Sequence, residues 1–202
     1  QCETLMKPKL ILIGGGGHCK SCIDVIEQEN KFLIAGIVDT NRSICDLLGY
    51  PWLGHDDDLT NLKASYDYAL ITIGQIKSPA IRFRLFDYAK SLGFKLPVII
   101  SPRAYVSKHA KIAQGTIIMH DALINSGAKV GDNCIINTKS LIEHDAVIEN
   151  NCHISTGAII NGGVIVKQGS FVGSNAVTKE SVDTKENDFI KAGSLFNGHA
   201  NE

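Results

Sequence analysis

Two groups of residues in this 202-residue chain have the types and spacing to do chemistry. The first is the glycine run Gly14 to Gly17, which sits between the apolar segment Lys9–Ile13 and a helical pattern starting at His18. In that context backbone N–H groups can approach a phosphate at a helix N-terminus. Gly14 and Gly16 fit the dinucleotide-loop spacing, but Cys19 stands where the third glycine would be, so a tight turn without a ligand stays open as a reading. Asp39 ends the next apolar segment, 22 residues after Gly17, where a carboxylate can accept bonds from ribose or sugar hydroxyls. Gly74 and Gln75, after a third such segment, would line the same crevice. The second group centres on His144, with Asp145 beside it, Asn137 before it and Gly162-Gly163 after it. A neutral imidazole held by a carboxylate or amide is a natural general base near neutral pH. The plainer alternative for His144 is an exposed histidine without a task.

Whether these residues meet depends on the elements that carry them. From Val106 to Val172 every sixth residue is Val or Ile, twelve positions without a miss. Two residues before each stands a small or modest side chain, such as Ala122, Cys134, Ala146 or Cys152. Neither a helix nor a simple sheet asks for a period of six, whereas a hexapeptide β-helix does. Each unit supplies one short strand and one corner of a triangular coil, with the branched residue and the small one inside. His144 lies two residues past the inward Ile142, at a corner. Ser126 and Gly162 occupy the same corner one coil below and one coil above, so Gly162-Gly163 leaves a groove beside the imidazole. His153 precedes the inward Ile154 and points outward from a face, and a surface histidine is its plain alternative. The register ends after Val172, with Thr at position 178, and Phe189, Ile190, Leu195 and Phe196 are placed to cover the open end of the coil.

The first hundred residues alternate strands and helices. Strands are expected at Lys9–Ile13, Phe32–Val38, Tyr68–Ile73 and Leu96–Ile100, and helices from His18 to Glu29 and from Ser78-Pro79 to about Leu92. Asn41–Gly54 reads as loop, and Asp56, Asp57 and Asp58 can cap a short helix. The fold class is therefore a small Rossmann-like parallel α/β sheet over residues 7–101, followed by a parallel β-helix with a C-terminal cap over 102–202.

Composition narrows the classes. A net charge of −1 gives no electrostatic case for nucleic acid or anionic lipid, and no apolar run reaches the length of a membrane span. Residues 1–7, QCETLMK, do not read as a signal peptide, and Met6 is the expected natural start. Of the six cysteines, Cys134 and Cys152 are 18 residues apart, one full coil, and should stack as buried thiols. Cys19-x-x-Cys22 has no second pair and only His18 nearby, so a metal or redox role is a minor alternative.

The string Ile13-Gly14-Gly15-Gly16-Gly17-His18, Asp39, Gly74-Gln75 and above all Asn137-Thr-Lys-Ser-Leu-Ile-Glu-His144-Asp145 closely resemble the sugar O/N-acetyltransferases with a left-handed β-helix. That family includes sialic acid O-acetyltransferases and N-acetyltransferases of nucleotide-linked 4-amino sugars. The resemblance implies a cytoplasmic homotrimer with active sites between subunits, acetyl-CoA along the coil, the sugar nucleotide in the N-terminal crevice, and no metal. It implies His144 as general base with Asp145 and Asn137 near it; His153, Gly162, Gly173 and Ser174 as acetyl-CoA contacts; and Gly16, Gly17, His18 and Asp39 as nucleotide-sugar contacts. The expected reaction is N-acetylation by direct attack, with a backbone N–H near Gly162 as oxyanion donor. O-acetylation of sialic acid or a related sugar is the alternative, and a non-catalytic sugar-nucleotide-binding trimer is a reading from a different class. Two departures stand out: Cys19 replaces a frequent glycine, and the tail reads Ala192-Gly193-Ser194-Leu195-Phe196 where the family has G-x-P-A-K.

Overall fold

The structure, a computed structural model, describes residues 7–41 and 46–199. Met6, expected as the start, the segment before it with Cys2, and also Cys45 lie outside the described residues. The N-terminal domain is a five-stranded sheet: β1 (Lys9–Ile13), β2 (Leu33–Val38), β3 (Asp46–Leu47), β4 (Tyr50–Gly54) and β5 (Tyr68–Ile71), in spatial order β3-β4-β2-β1-β5. β1 pairs in parallel with both β2 and β5, so chain direction across the sheet reverses at β1, and the carboxyl ends of β1 and β5 border the switch point. Helix α1 (Gly17–Glu29) covers one face and α3 (Ala80–Ser91) the other; the short α2 (Leu59–Leu62) follows a 3-10 turn at Asp56–Asp58. From Leu10 to Ile13, β1 is apolar because both its faces are buried: Leu10 and Leu12 pack with α1, and Ile11 and Ile13 with α3.

The loop expected over Asn41–Gly54 instead contains β3 and β4. Trp52 pairs with Ile37 of β2, and Pro51 pairs with Asp46 of the two-residue β3 at the sheet edge. Asp58 does not cap α2; its carboxylate accepts the His55 N–H at 2.8 Å. The fourth α/β strand is also absent. Lys95 makes a single bridge to Tyr68, while Ile99–Ile100 pairs with Ile117–Ile118 and is the first rung of the coil.

From Ile99 onward the chain winds as a left-handed parallel β-helix with three faces. The first face stacks six rungs from Ile99–Ile100 through Ile135–Ile136 and His153–Ile154 to Phe189–Ile190. The second runs in six rungs from Tyr105–Val106 through Leu141–Ile142 to Leu195–Phe196, and the third in four, from Lys111–Ile112 to Ile165–Val166. Inward residues and the small residues two positions earlier form one core. Cys134 and Cys152 are free and fully buried within it, in neighbouring coils.

The coil does not stop at Val172. The period runs on through Thr178, Thr184, Ile190 and Phe196, so the tail continues the coil. Thr178 and Thr184 take inward positions because their hydroxyls accept the backbone N–H of Asn161 and Lys167, each within 2.9 Å, and so are satisfied inside an apolar core.

Helix α1 lies between the sheet and the lower first face, where Ile99, Ile117 and Ile135 complete its apolar surroundings. Polar ties join the domains around it. His120 bridges Ser101 Oγ (2.6 Å) and Asp24 of α1 (2.7 Å), and Glu29 accepts the Ile100 N–H at 3.1 Å. No described helix is long and apolar enough to cross a membrane.

Candidate active site

His144 sits at the corner between the second and third faces, where the chain leaves Leu141–Ile142 and heads for Val147–Ile148. Its side chain is 65% exposed. Asp145 occupies the left-handed corner position (φ 60°), which Asp tolerates because its short side chain can bond locally. That backbone turn brings its carboxylate to 2.9 Å from His144 Nδ1. The hydrogen bond to Asp145 raises the imidazole pKa, with the Asp145 and Glu143 charges adding to it. The opposite nitrogen, Nε2, faces Gly162 one coil above: a Cβ there would stand 2.8 Å from Nε2 and 2.9 Å from Cε1. Only a residue without a side chain leaves that space open. Ser126 lies one coil below, its carbonyl accepting the Asp145 N–H.

Asn137 is not beside His144. It lies on the same coil at the other edge of the second face, the corner shared with the first face. Its Nδ2 is 3.1 Å from His153 Nε2, and its Oδ1 accepts the Thr138 N–H at 2.8 Å. Ser174, two coils above Thr138 on that corner, touches Ser155 Oγ at 3.0 Å. Gly173 is buried under the next coil, where a Cβ would collide with Ala192. One chain therefore brings together His144, Asp145 and Gly162, and separately Asn137, His153, Gly173 and Ser174, with a whole face between the groups.

His153 is not a surface histidine: it is 6% exposed, because the N-terminal domain folds over it. The segment after β5 delivers the Gln75 carbonyl to 2.5 Å from Nδ1, and the ring packs edge-on against Phe171. Gln75 is in turn held by donating Nε2–H to the carbonyls of Asn151 (2.8 Å) and Gly169 (3.3 Å). Burial lowers the His153 pKa to about 4, with the Arg82 guanidinium adding to it against the Gln75 bond. His18, 6.5 Å away between ring centroids, is lowered to about 3 by burial, then by Arg82 and His153. Its buried Nε2 has no partner among the described residues.

The glycine loop is split in its exposure. Gly14 (φ 111°) and Gly15 are buried, and a Cβ on Gly14 would collide with Ile73 of the neighbouring strand end. Gly16 and Gly17 are exposed and face open space, at the N-terminus of α1, with no acidic residue in its first turn. Gly74 is exposed, and a Cβ there would stand 3.5 Å from His18 Cβ. Asp39 already has backbone partners: Oδ2 accepts the Gly15 N–H at 2.5 Å and Oδ1 the Asn41 N–H at 2.7 Å. It thus shapes the loop while bordering a crevice of about 250 Å³ with Thr40, Asp56, Ile81 and Arg84. A larger cavity, about 420 Å³, lies across the first face from Asn137, between Phe83, Phe171 and Phe189.

Arg82 is a residue of this region that the sequence motifs do not single out. It is buried on α3 at the spacing of Leu85, Phe86 and Ala89, a cation in an apolar stripe, which is a legible signal. Its guanidinium donates to the carbonyls of Ile71 (2.7 Å), Ile73 (2.9 Å) and Asn133 (3.2 Å), and so ties the end of β5 to the coil. Burial pushes Cys19 up to about 11 and Cys22 higher still, the reverse of a reactive thiolate. Among the described residues no cluster of His, Cys, Asp and Glu could hold a metal ion.

Residues 9–89 match the family described as the PglD N-terminal domain. Among solved structures, the chain is similar to the acetyltransferase domain of PglB from Neisseria gonorrhoeae FA1090: TM-score 0.89, 29% identity, 95% of this chain and 92% of that one. It is also similar to perosamine N-acetyltransferase from Caulobacter crescentus, solved as a histidine-to-asparagine mutant with CoA and GDP-perosamine: TM-score 0.88, 29% identity, 94% and 89% covered. The chain is an acetyl-CoA-dependent sugar acetyltransferase with a left-handed β-helix. WeeI from Acinetobacter baumannii AYE, 21% identical with a TM-score of 0.62 over 94% of this chain and 96% of that one, shares the fold. Among curated proteins no sequence matches this acetyltransferase significantly.

Proposed function

We propose that this acetyltransferase moves the acetyl group of acetyl-CoA onto the 4-amino group of a nucleotide-linked amino sugar, with His144 as general base. One observation carries the reading: His144 is anchored through Nδ1 to Asp145 while Nε2 faces the space left by Gly162. An imidazole held this way donates through Nδ1 and keeps Nε2 free to take a proton. The similar structures, one with CoA and GDP-perosamine and another with acetyl coenzyme A, support the pair of substrates. The exposed N–H groups at Gly16 and Gly17 suit a nucleotide diphosphate, which favours a nucleotide-linked sugar over free sialic acid. A cytoplasmic location goes with these substrates.

The two groups of site residues lie at opposite edges of the second face. That face carries an outward ladder of Tyr105, Leu123, Leu141, Ile159, Val177 and Leu195, an apolar stripe left partly or fully exposed by the described residues. Three copies packed around a threefold axis through this face would bury the ladder and set the His144 edge of one subunit against the Asn137 edge of the next. Acetyl-CoA would then run up the groove between Gly162 on one side and Gly173 and Ser174 on the other.

In the reaction the sugar amine attacks the thioester carbonyl carbon as His144 Nε2 takes its proton. A C–N bond forms, the carbonyl π electrons move to oxygen, and the tetrahedral oxyanion collapses with cleavage of the C–S bond. The proton passes from His144 to the departing thiolate. The test is thioester cleavage with UDP-, dTDP- and GDP-linked amino sugars, and with free sialic acid. One nucleotide-linked amine should react and free sialic acid should not. His144→Ala should lose nearly all turnover with the trimer intact; wild-type turnover in that variant would overturn the assignment. Mixing His144→Ala with Asn137→Ala subunits should restore activity that neither variant shows alone, since some interfaces then hold both intact edges.

A further inference from the structure

We propose that His153 is a positioning residue that fixes the Asn137 amide, and that Asn137 is the side-chain donor to the thioester carbonyl oxygen in the active site shared with the neighbouring subunit. This rests on the acetyl-transfer reading above. It differs from the role the family resemblance implies for His153, a contact to acetyl-CoA.

The chain of hydrogen bonds has one possible polarity. The Gln75 carbonyl, 2.5 Å from His153 Nδ1, can only accept, so Nδ1 carries the ring proton. The buried ring is neutral at pH 7, as its lowered pKa requires, so Nε2 is a bare acceptor. Asn137 must then present its amide nitrogen to His153, 3.1 Å away, rather than its oxygen. The Thr138 N–H, which needs an acceptor, holds Asn137 Oδ1 at 2.8 Å and demands the same orientation. Both ends of the amide are thus fixed, and one N–H on Nδ2 is left over. That N–H belongs to a half-buried side chain on the corner bordering the second face, the edge that meets His144 of the next copy. Gln75 cannot drift, because its own side chain is bonded to the coil at Asn151 and Gly169. A donor whose rotamer is locked before the reaction costs no reorganisation when charge develops on the carbonyl oxygen. His153 itself has no proton left to offer a ligand, since its single N–H is spent on Gln75.

The experiment combines ring-nitrogen NMR with a double-mutant cycle on the full-length trimer. In ¹⁵N-histidine-labelled protein without substrates, His153 should show the Nδ1–H tautomer with an unprotonated Nε2 at pH 7, and Asn137→Ala should shift the Nε2 resonance. Asn137→Ala should lower kcat by roughly 10²- to 10³-fold, the range for loss of one oxyanion donor, with little change in KM for acetyl-CoA. His153→Phe keeps an aromatic ring against Phe171 but removes the acceptor, and should lower kcat by about 10-fold or more. The double variant should be no worse than Asn137→Ala, because His153 acts only through it. Additive losses, an Nε2–H tautomer, or a His153→Phe variant that raises KM for acetyl-CoA at unchanged kcat would each overturn the proposal. If His153→Phe does not fold, the tautomer and the Asn137→Ala shift decide it alone. The NMR arm needs no turnover, so failure of this inference and failure of the acetyl-transfer reading are separate results.

Discussion

Gly162→Ala tests the base assignment at the smallest scale available, one methyl group. The new Cβ would stand 2.8 Å from His144 Nε2 and 2.9 Å from Cε1, where ordinary contact begins near 3.4 Å. Something must move by roughly 0.6 Å. The backbone at Gly162 is not left-handed, so alanine is unstrained there, and the obstacle is the far end of an exposed side chain. The imidazole yields and the coil does not. Stability should therefore stay within about 0.5 kcal/mol of wild type. Catalysis should not be spared, because misplacing a reacting group by about 1 Å can cost on the order of 10²-fold; a 0.6 Å shift then predicts a kcat loss of about 10-fold or more. The assay is loss of thioester absorbance under saturating substrates, alongside a thermal melt and sedimentation. Wild-type kcat in a folded Gly162→Ala variant that sediments like wild type would refute the idea that Nε2 works in the space above it. A loss in KM alone would make Gly162 a binding contact and leave the base unaffected.

The Asp145 hydrogen bond raises the His144 pKa above 6.5, so kcat/KM should rise with pH along a limb centred above 6.5, as the imidazole loses its proton. Asp145→Asn should move that limb to lower pH and lower the plateau, and an unmoved limb in a pH–rate profile would contradict the pairing. His18 and His153 have folded pKa values lowered to about 3 and about 4, below their unfolded value of 6.5. Their contribution to stability is complete above pH 6.5 and is lost as pH falls through the window down to 4, by up to about 1.4 kcal/mol per pH unit for each. Thermal melts across that window should fall accordingly, and His153→Phe should flatten the slope. Arg82→Met should cost about 3 kcal/mol or more by denaturant unfolding, because it strips charged donors from three carbonyls at the domain junction.

The coil was legible in the sequence because its signal is a strict period of branched residues, and steric fit in a narrow interior allows little else. Its upper end was not, because Thr178 and Thr184 fill inward positions by hydrogen bonding to the coil below, and no pattern of apolar residues reports that. His144, Asp145 and Gly162 could be placed by counting, since residues 18 apart stack. Asp39 could be located but not its partners: the same short carboxylate that suits a sugar hydroxyl is taken up by Gly15 and Asn41. His153 could not be read correctly from its own coil. Counting puts it outward on a face, and only the N-terminal domain, packing through Gln75 and Arg82, turns that outward position into a buried one.

The same counting has a consequence for assembly. In a three-sided coil with six residues per side, residues seven apart such as Asn137 and His144 must sit at opposite edges of one face, on the same coil. No side-chain rotation in a single chain closes that gap, because the ladder of Leu141 and its neighbours on the second face stands between them. On the proposed reading, a catalytic pair at this spacing needs the face between its members to be filled by another copy. The apolar ladder and the divided site point to the same contact for different reasons, one from burial and one from chemistry. A charge placed in the ladder, such as Ile159→Glu, would then remove activity and trimer together while leaving His144, Asp145 and Gly162 in place within each chain. Full activity from such a monomer would mean that one edge suffices and that Asn137 has no part in the reaction.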